Sequence, residues 1–181
     1  MGRTSPYWRI VIAVSGWGAL WAAVGAAQEF HPPRVSGSGE GTRLGLYGFG
    51  VRVGVDVATP SQGVFGLTLD AGNIASSRLR LRIAGEIGAF NGLNSYVGSL
   101  EGVYRFTSET EKVTPYMGAG LSLAGHDRCG ADAACPAVWA NILVGFELHY
   151  RSTFNWLLEY HAMDAFNHNR FYVGLVTRRG N

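Results

Sequence analysis

The stretch from Phe154 to Thr177 reads FNWLLEYHAMDAFNHNRFYVGLVT and contains two opposing signals. Glu159, His161, Asp164 and His168 fall within ten residues, and such a cluster can bind a metal ion or carry out acid–base chemistry. The residues on either side alternate between apolar and polar side chains, as in half-buried strands. The alternation predicts two antiparallel strands joined by a polar loop.

The same alternation recurs along the chain in eight segments. Short polar or glycine-containing connections separate them, and no amphipathic helix of convincing length interrupts the series. Short connections favour antiparallel neighbours, so the sequence predicts an antiparallel up-and-down arrangement. The predicted strands are Arg43–Val57, Gly63–Ala71, Arg78–Phe90, Ser95–Phe106, Thr114–Ala124, Ala137–Tyr150, Phe154–His161 and Arg170–Thr177.

The two faces of these segments differ in a consistent way. In the third, Leu79, Leu81 and Ile83 share one face, whereas Arg80 and Arg82 share the other. Across the chain the polar faces carry six carboxylates and six arginines. Charges enclosed in a narrow barrel must be paired, because an unpaired buried charge is costly. The predicted lumen charge network comprises Arg52, Asp56, Asp70, Arg80, Arg82, Glu86, Glu101, Arg105, Glu147, Glu159, His161, Arg170 and Arg178.

The apolar faces are typical of a lipid-facing surface. Phe106, Trp156 and Phe171 fall near strand ends, where a transmembrane barrel places its aromatic girdles. Strands of about 9–11 residues suit a tilted bilayer crossing. The sequence therefore predicts an all-β, eight-stranded transmembrane barrel, and no general pore, because side chains fill a barrel of this size. A soluble periplasmic barrel that carries lipid in an apolar pocket is the alternative.

The N-terminus has the pattern of an export signal. Arg3 and Arg9 precede an apolar run from Ile10 to Val24, and small residues follow it. We predict a signal peptide at 1–27, a polar lead at 28–42 and a β-barrel domain at 43–181. Loss of the two arginines leaves 13 basic and 13 acidic residues, a balance that argues against nucleic-acid binding.

Several motifs carry a resemblance to a known family. The stretches GLTLDAG, SLEGVYRF and VTPYMGAGLSLAG, then GFELHY and YVGL, resemble the small outer-membrane β-barrels of the opacity-protein and outer-membrane-protein-A type. The resemblance implies a monomer in the outer membrane, in contact with membrane lipid and lipopolysaccharide and inserted by the barrel-assembly machinery. Such barrels usually finish on an aromatic residue, whereas this sequence continues past Val176 into TRRGN, which predicts a weak or displaced insertion signal.

The weak catalytic candidates are His161, Glu159 and Asp164. Outer-membrane lipid A deacylases resemble this barrel and use a His, a Ser two residues later and an acidic partner. Here the position two after His161 is Met163, and no Ser or Thr lies between Thr153 and Thr177, so that mechanism lacks its nucleophile. We predict no metal or cofactor site. The predicted function is a non-enzymatic outer-membrane barrel with a structural or surface-interaction role; a deacylase-like hydrolase and a lipid-carrier barrel are the alternatives.

Cys129 and Cys135 lie in the longest polar connection, DRCGADAACP. Export to an oxidising compartment and the spacing of the pair predict a disulfide within this loop. The count and spacing of the cysteines exclude a CxxC redox or zinc site.

Overall fold

A computed structural model describes residues 41–58, 61–89, 94–107, 111–131, 135–151 and 153–178. The predicted signal peptide lies outside these residues, as does the lead up to residue 40. The strands are β1 Arg43–Asp56, β2 Gln62–Asn73, β3 Leu79–Ala89, β4 Ser95–Arg105, β5 Val113–His126, β6 Ala137–His149, β7 Phe154–Met163 and β8 His168–Thr177. A short 3-10 turn, Cys129–Ala131, follows β5. Among the described residues no helix is long and apolar enough to cross a membrane.

The eight strands form a closed barrel in which each strand pairs with its sequence neighbours. Closure is made by β1 and β8, which run antiparallel from the Gly50–Val176 pair to the Asp56–Arg170 pair. The predicted fold class is therefore confirmed. We call the end where β1 begins and β8 finishes the terminal end, and the opposite end, which carries the β5–β6 connection, the loop end.

The strand bounds differ from the predicted ones by at most two residues. The structure differs most from the sequence-based prediction at the β7–β8 connection, for which the sequence predicts a polar loop of eight residues. Strand pairing continues to Met163 and His168, and the chain reverses through Asp164, Ala165 and Phe166, all with positive φ. The polar residues at this end of the β7–β8 hairpin are therefore paired strand residues rather than loop residues.

The barrel is apolar outside and polar inside. Leu67, Leu121 and Val138 are each about 60% exposed or more, at 59%, 63% and 68%, although they lie in the middle or near the end of strands. Arg52 and Arg170 are only 1% exposed. Charged residues buried beneath an exposed apolar surface reverse the distribution of polarity found in water-soluble proteins. This distribution matches that of a barrel surrounded by lipid.

Exposed aromatic side chains form a girdle at each end of the barrel. The terminal-end girdle contains Tyr104, Phe106, Tyr150 and Trp156, and the loop-end girdle contains Phe65, Tyr96, Phe166 and Phe171. Edge contacts join Tyr104 to Phe106 and Tyr150 to Trp156. Two such girdles around an apolar band mark the two interfaces of a bilayer.

The lumen also contains two apolar clusters that the sequence analysis did not predict. One lies toward the terminal end and comprises Val103, Tyr116, Leu143 and Leu157. The other lies toward the loop end and comprises Val97, Ala124 and Met163, with Trp139 packed against it. The lumen therefore contains two apolar clusters as well as its buried charged residues.

Two glycines have a specific role in this packing. A Cβ on Gly66 would lie 3.1 Å from Arg52 Cγ and 3.2 Å from Glu86 Cγ, so the absence of a side chain makes room for this ion pair. Gly72 has φ +117° at the irregularity where β2 shifts its register against β3, a conformation that favours glycine.

Candidate functional site

The carboxylate of Glu159 lies at the centre of the lumen charge network. It accepts a hydrogen bond from Arg52 Nη1 at 2.5 Å and another from Arg82. The hydroxyl of Tyr116 donates a third at 2.7 Å. Residues of β1, β3 and β5 thus converge on one side chain of β7, and both oxygens of this buried carboxylate are engaged.

The carboxylate of Glu86 has a similar environment closer to the loop end. Arg52 donates to one of its oxygens, and Arg170 Nη1 donates to the other at 2.5 Å. The hydroxyl of Tyr172 also donates to Glu86, at 2.7 Å. The Arg52 guanidinium lies 4.5 Å from the centre of the Tyr172 ring. Because Arg52 contacts both Glu86 and Glu159, the two carboxylates belong to one network.

Further ion pairs extend this network toward the terminal end. Arg82 Nε donates to Glu101 at 2.7 Å, and Arg80 pairs with Asp70 at 3.3 Å. Arg105 pairs with Glu147. A cavity of about 50 Å³ lies among these side chains, the volume of about one or two water molecules.

The loop-end mouth of the lumen holds a carboxylate–imidazole pair. Asp56 Oδ2 accepts hydrogen bonds from Arg170 Nε and His168 Nδ1, both at 2.9 Å. The His168 ring stacks on Trp139, with 4.6 Å between ring centres. Asp56 and His168 are far apart in sequence, so only the pairing of β1 with β8 brings them together.

The four-residue cluster of the sequence analysis does not form one site. Glu159 and His161 share the lumen, with 3.2 Å between Oε2 and Nε2. His168 instead pairs with Asp56, and Asp164 lies in the β7–β8 turn, where Asn167 donates to it at 3.1 Å. The acidic partner considered for catalysis therefore lies in the turn, separate from the Glu159–His161 pair.

One member of the predicted network, Arg178, lies at the terminal rim of the barrel. It follows the end of β8, and its Nη1 is 2.7 Å from Nε2 of His149. In the sequence, the alternating pattern of β8 extends to Arg178, but the strand ends at Thr177. The other members, Arg52, Asp56, Asp70, Arg80, Arg82, Glu86, Glu101, Arg105, Glu147, Glu159, His161 and Arg170, contact one another through the pairs described above.

The buried serine hydroxyls in the described lumen are engaged with other polar groups. Ser99 and Ser122 lie 2.8 Å apart, and Asn141 Nδ2 donates to Ser122 at 2.9 Å. Ser95, near the loop end, accepts from Gln62 Nε2 at 3.0 Å. A serine nucleophile needs a base within hydrogen-bonding distance, and these hydroxyls bond instead to amides or to each other.

The predicted disulfide is confirmed. Cys129 and Cys135 are joined, with 5.0 Å between their Cα atoms. His126 lies beside them, so one imidazole nitrogen and two sulfurs fall within 4.8 Å of one another. Thiolates are the sulfur ligands of metal ions, however, and both sulfurs are consumed by the disulfide. Tyr96 of β4 donates its hydroxyl to Asp127 in the same loop at 2.8 Å, and this hydrogen bond lowers the pKa of the Asp127 carboxyl.

Comparison with known proteins identifies the fold. No protein-family model matches the sequence, and no curated protein matches it. The N-terminal β-barrel domain of Pseudomonas aeruginosa OprF is 13% identical, with a TM-score of 0.54 over 74% of this chain and 98% of that one. Neisserial surface protein A is 14% identical, with a TM-score of 0.50 over 72% of this chain and 94% of that one. The chain therefore has the fold of the small eight-stranded outer-membrane β-barrels, as the resemblance of its motifs implied.

Proposed function

We propose that this protein is an integral outer-membrane β-barrel with a non-enzymatic, structural or surface-interaction role. The observation that carries the proposal is the inverted distribution of polarity. Apolar side chains cover the outside between two aromatic girdles, whereas Arg52, Glu86, Glu101, Glu159 and Arg170 are all under 5% exposed in the lumen. An apolar band of this kind between two aromatic girdles is the exterior of a barrel that lies in lipid.

The engagement of the lumen charges supports a structural role. An enzyme keeps a reactive group accessible to its substrate, whereas the central carboxylates here accept hydrogen bonds from arginine and tyrosine on several strands. A lipid carrier would need an apolar cavity, and the side chains of the lumen fill that space. Contact with membrane lipid, lipopolysaccharide and the barrel-assembly machinery, and a monomeric state, belong to the same proposal.

The proposal is tested by expressing the full chain in a Gram-negative host and separating its membranes. We expect the protein in the outer-membrane fraction, with gel migration that changes when the sample is heated, because a folded barrel resists detergent. Recovery from the soluble periplasm would support the carrier alternative. Hydrolysis of lipid A acyl esters that disappears in His161→Ala or His168→Ala, while the heat-dependent migration persists, would support the hydrolase alternative.

A further inference from the structure

The two ends of the barrel carry different charge. At the terminal end, the described residues outside the lumen include one exposed carboxylate, Glu111, and five exposed or half-buried cations. These cations are Arg43, Arg78, Lys112, Arg151 and Arg178. At the loop end, the corresponding described residues are Arg128, Asp127 and Asp164. Within the described part of the chain, the terminal end is therefore basic and the loop end slightly acidic.

Three of the terminal-end cations lie on neighbouring segments of the rim. The His149 backbone N–H donates to the carbonyl of Lys112 at 2.9 Å, which joins the β4–β5 connection to the end of β6. Arg178 donates through its backbone to Thr153 at 2.8 Å, and its side chain reaches His149. Arg151 lies in the same β6–β7 connection as Thr153. We call Lys112, Arg151 and Arg178 the basic arc.

One member of the basic arc, Arg151, lies next to the aromatic girdle. The Arg151 guanidinium is 5.3 Å from the centre of the Tyr150 ring, and that ring is 6.3 Å from the ring of Trp156. Both aromatic side chains are exposed on the outer surface, at 57% and 41%. Exposed Tyr and Trp side chains mark the headgroup level of a bilayer. Arg151 therefore lies at the level of lipid phosphates, and Lys112 and Arg178 lie on the rim segments that are hydrogen-bonded beside it.

We infer that the basic arc binds the headgroups of anionic glycerophospholipids, such as phosphatidylglycerol, in the leaflet at the terminal end. Arginine and lysine donate charge-assisted hydrogen bonds to phosphate oxygens. Outer-membrane barrels have short periplasmic turns and longer external loops, and the longest connection, 127–136, is at the loop end. The terminal end accordingly faces the phospholipid leaflet. The inference rests on the proposed function, because it requires the barrel to lie in a bilayer.

The inference is tested with the full chain reconstituted in phosphatidylcholine vesicles that contain trace spin-labelled phosphatidylglycerol or spin-labelled phosphatidylcholine. Electron spin resonance gives the relative association constant of each lipid for the protein surface. A single cation at a membrane surface changes this ratio by about fivefold at low salt. We expect a clear preference for phosphatidylglycerol in the wild-type protein, which decreases as added salt screens the charges.

The double variant Lys112→Gln, Arg151→Gln removes the two exposed charges of the basic arc and is expected to lower the ratio at least about fivefold. The matched control, Arg128→Gln, removes a cation from the loop end, where Asp127 and Asp164 offset its charge, and should change the ratio much less. Equal association of both lipids with the wild-type protein, or an unchanged ratio in the double variant, would overturn the inference. A chain that inserts into none of the vesicles would instead contradict the proposed function.

Discussion

At the scale of single residues, the lumen depends on carboxylates that several arginines share. Glu159 accepts hydrogen bonds from Arg52, Arg82 and Tyr116. Glu159→Ala removes the shared acceptor and leaves two buried guanidinium groups with fewer partners. Loss of one member of a buried ion pair costs about 3–5 kcal/mol, and we expect a decrease of this order in the free energy of unfolding. Urea titration of the barrel in detergent micelles, followed by gel migration, measures it.

The control for this variant is Glu111→Ala, which removes an exposed carboxylate at the terminal end. Surface substitutions of this kind change stability by about 0.5 kcal/mol or less. Equal stability of the two variants would contradict the structural role of Glu159. The sequence placed Glu159 in the lumen but could not name its partners, because Arg52 and Arg82 lie on strands that do not pair with β7. Such contacts across the lumen depend on the stagger of the closed barrel.

At the scale of the strand, β7 offers a direct test of which face meets lipid. Leu157 is fully buried in the lumen, whereas its neighbour Leu158 is 39% exposed on the outer surface. Leu157→Ala leaves a cavity, and such truncations cost about 2–5 kcal/mol. Lipid fills the space that Leu158→Ala leaves, so we expect a smaller loss of stability. Urea titration of the two variants in lipid vesicles compares their stabilities, and a larger loss for Leu158→Ala would contradict the assigned faces.

A second substitution at Leu158 tests the same assignment through insertion. Leu158→Arg places a cation on the lipid-facing side near the middle of the strand, where it costs about 2–4 kcal/mol. We expect a reduced yield of folded, heat-modifiable protein in vesicles. Leu44→Arg, at the exposed start of β1 near the interface, is the matched control and should reduce the yield less. Equal yields of the two variants would place Leu158 away from the bilayer centre.

Period-two alternation predicted the strands because a lipid-facing side and a filled lumen leave different side chains at alternate positions. It did not predict the apolar lumen clusters. Leu143, Leu157 and Met163 occur on the strand faces that otherwise carry polar residues. The sequence analysis assigns each face from most of its residues, so it does not identify these three as members of apolar clusters. The sequence analysis did not predict the Asp56–His168 pair for a different reason, because this contact depends on the register between the first and the last strand.

At the scale of the whole molecule, the filled lumen predicts a barrel that does not conduct ions. The apolar clusters of Val97 and Leu157 are buried toward opposite ends of the barrel, and the lumen also holds the buried ion pairs of Arg52 and Arg170. Eight-stranded barrels are just wide enough for their side chains.

We therefore expect no discrete current steps when the purified protein is inserted into a planar lipid bilayer under an applied voltage. Flotation of parallel vesicle samples and heat-dependent gel migration show whether the protein has inserted and folded. With both controls positive, the absence of current steps indicates a closed lumen rather than a failed insertion. Reproducible steps of constant size from the folded wild-type barrel would contradict the prediction. They would mean that the ion pairs around Arg52 and Glu159 separate in the bilayer and open a path for ions, and the role of the protein would then include transport.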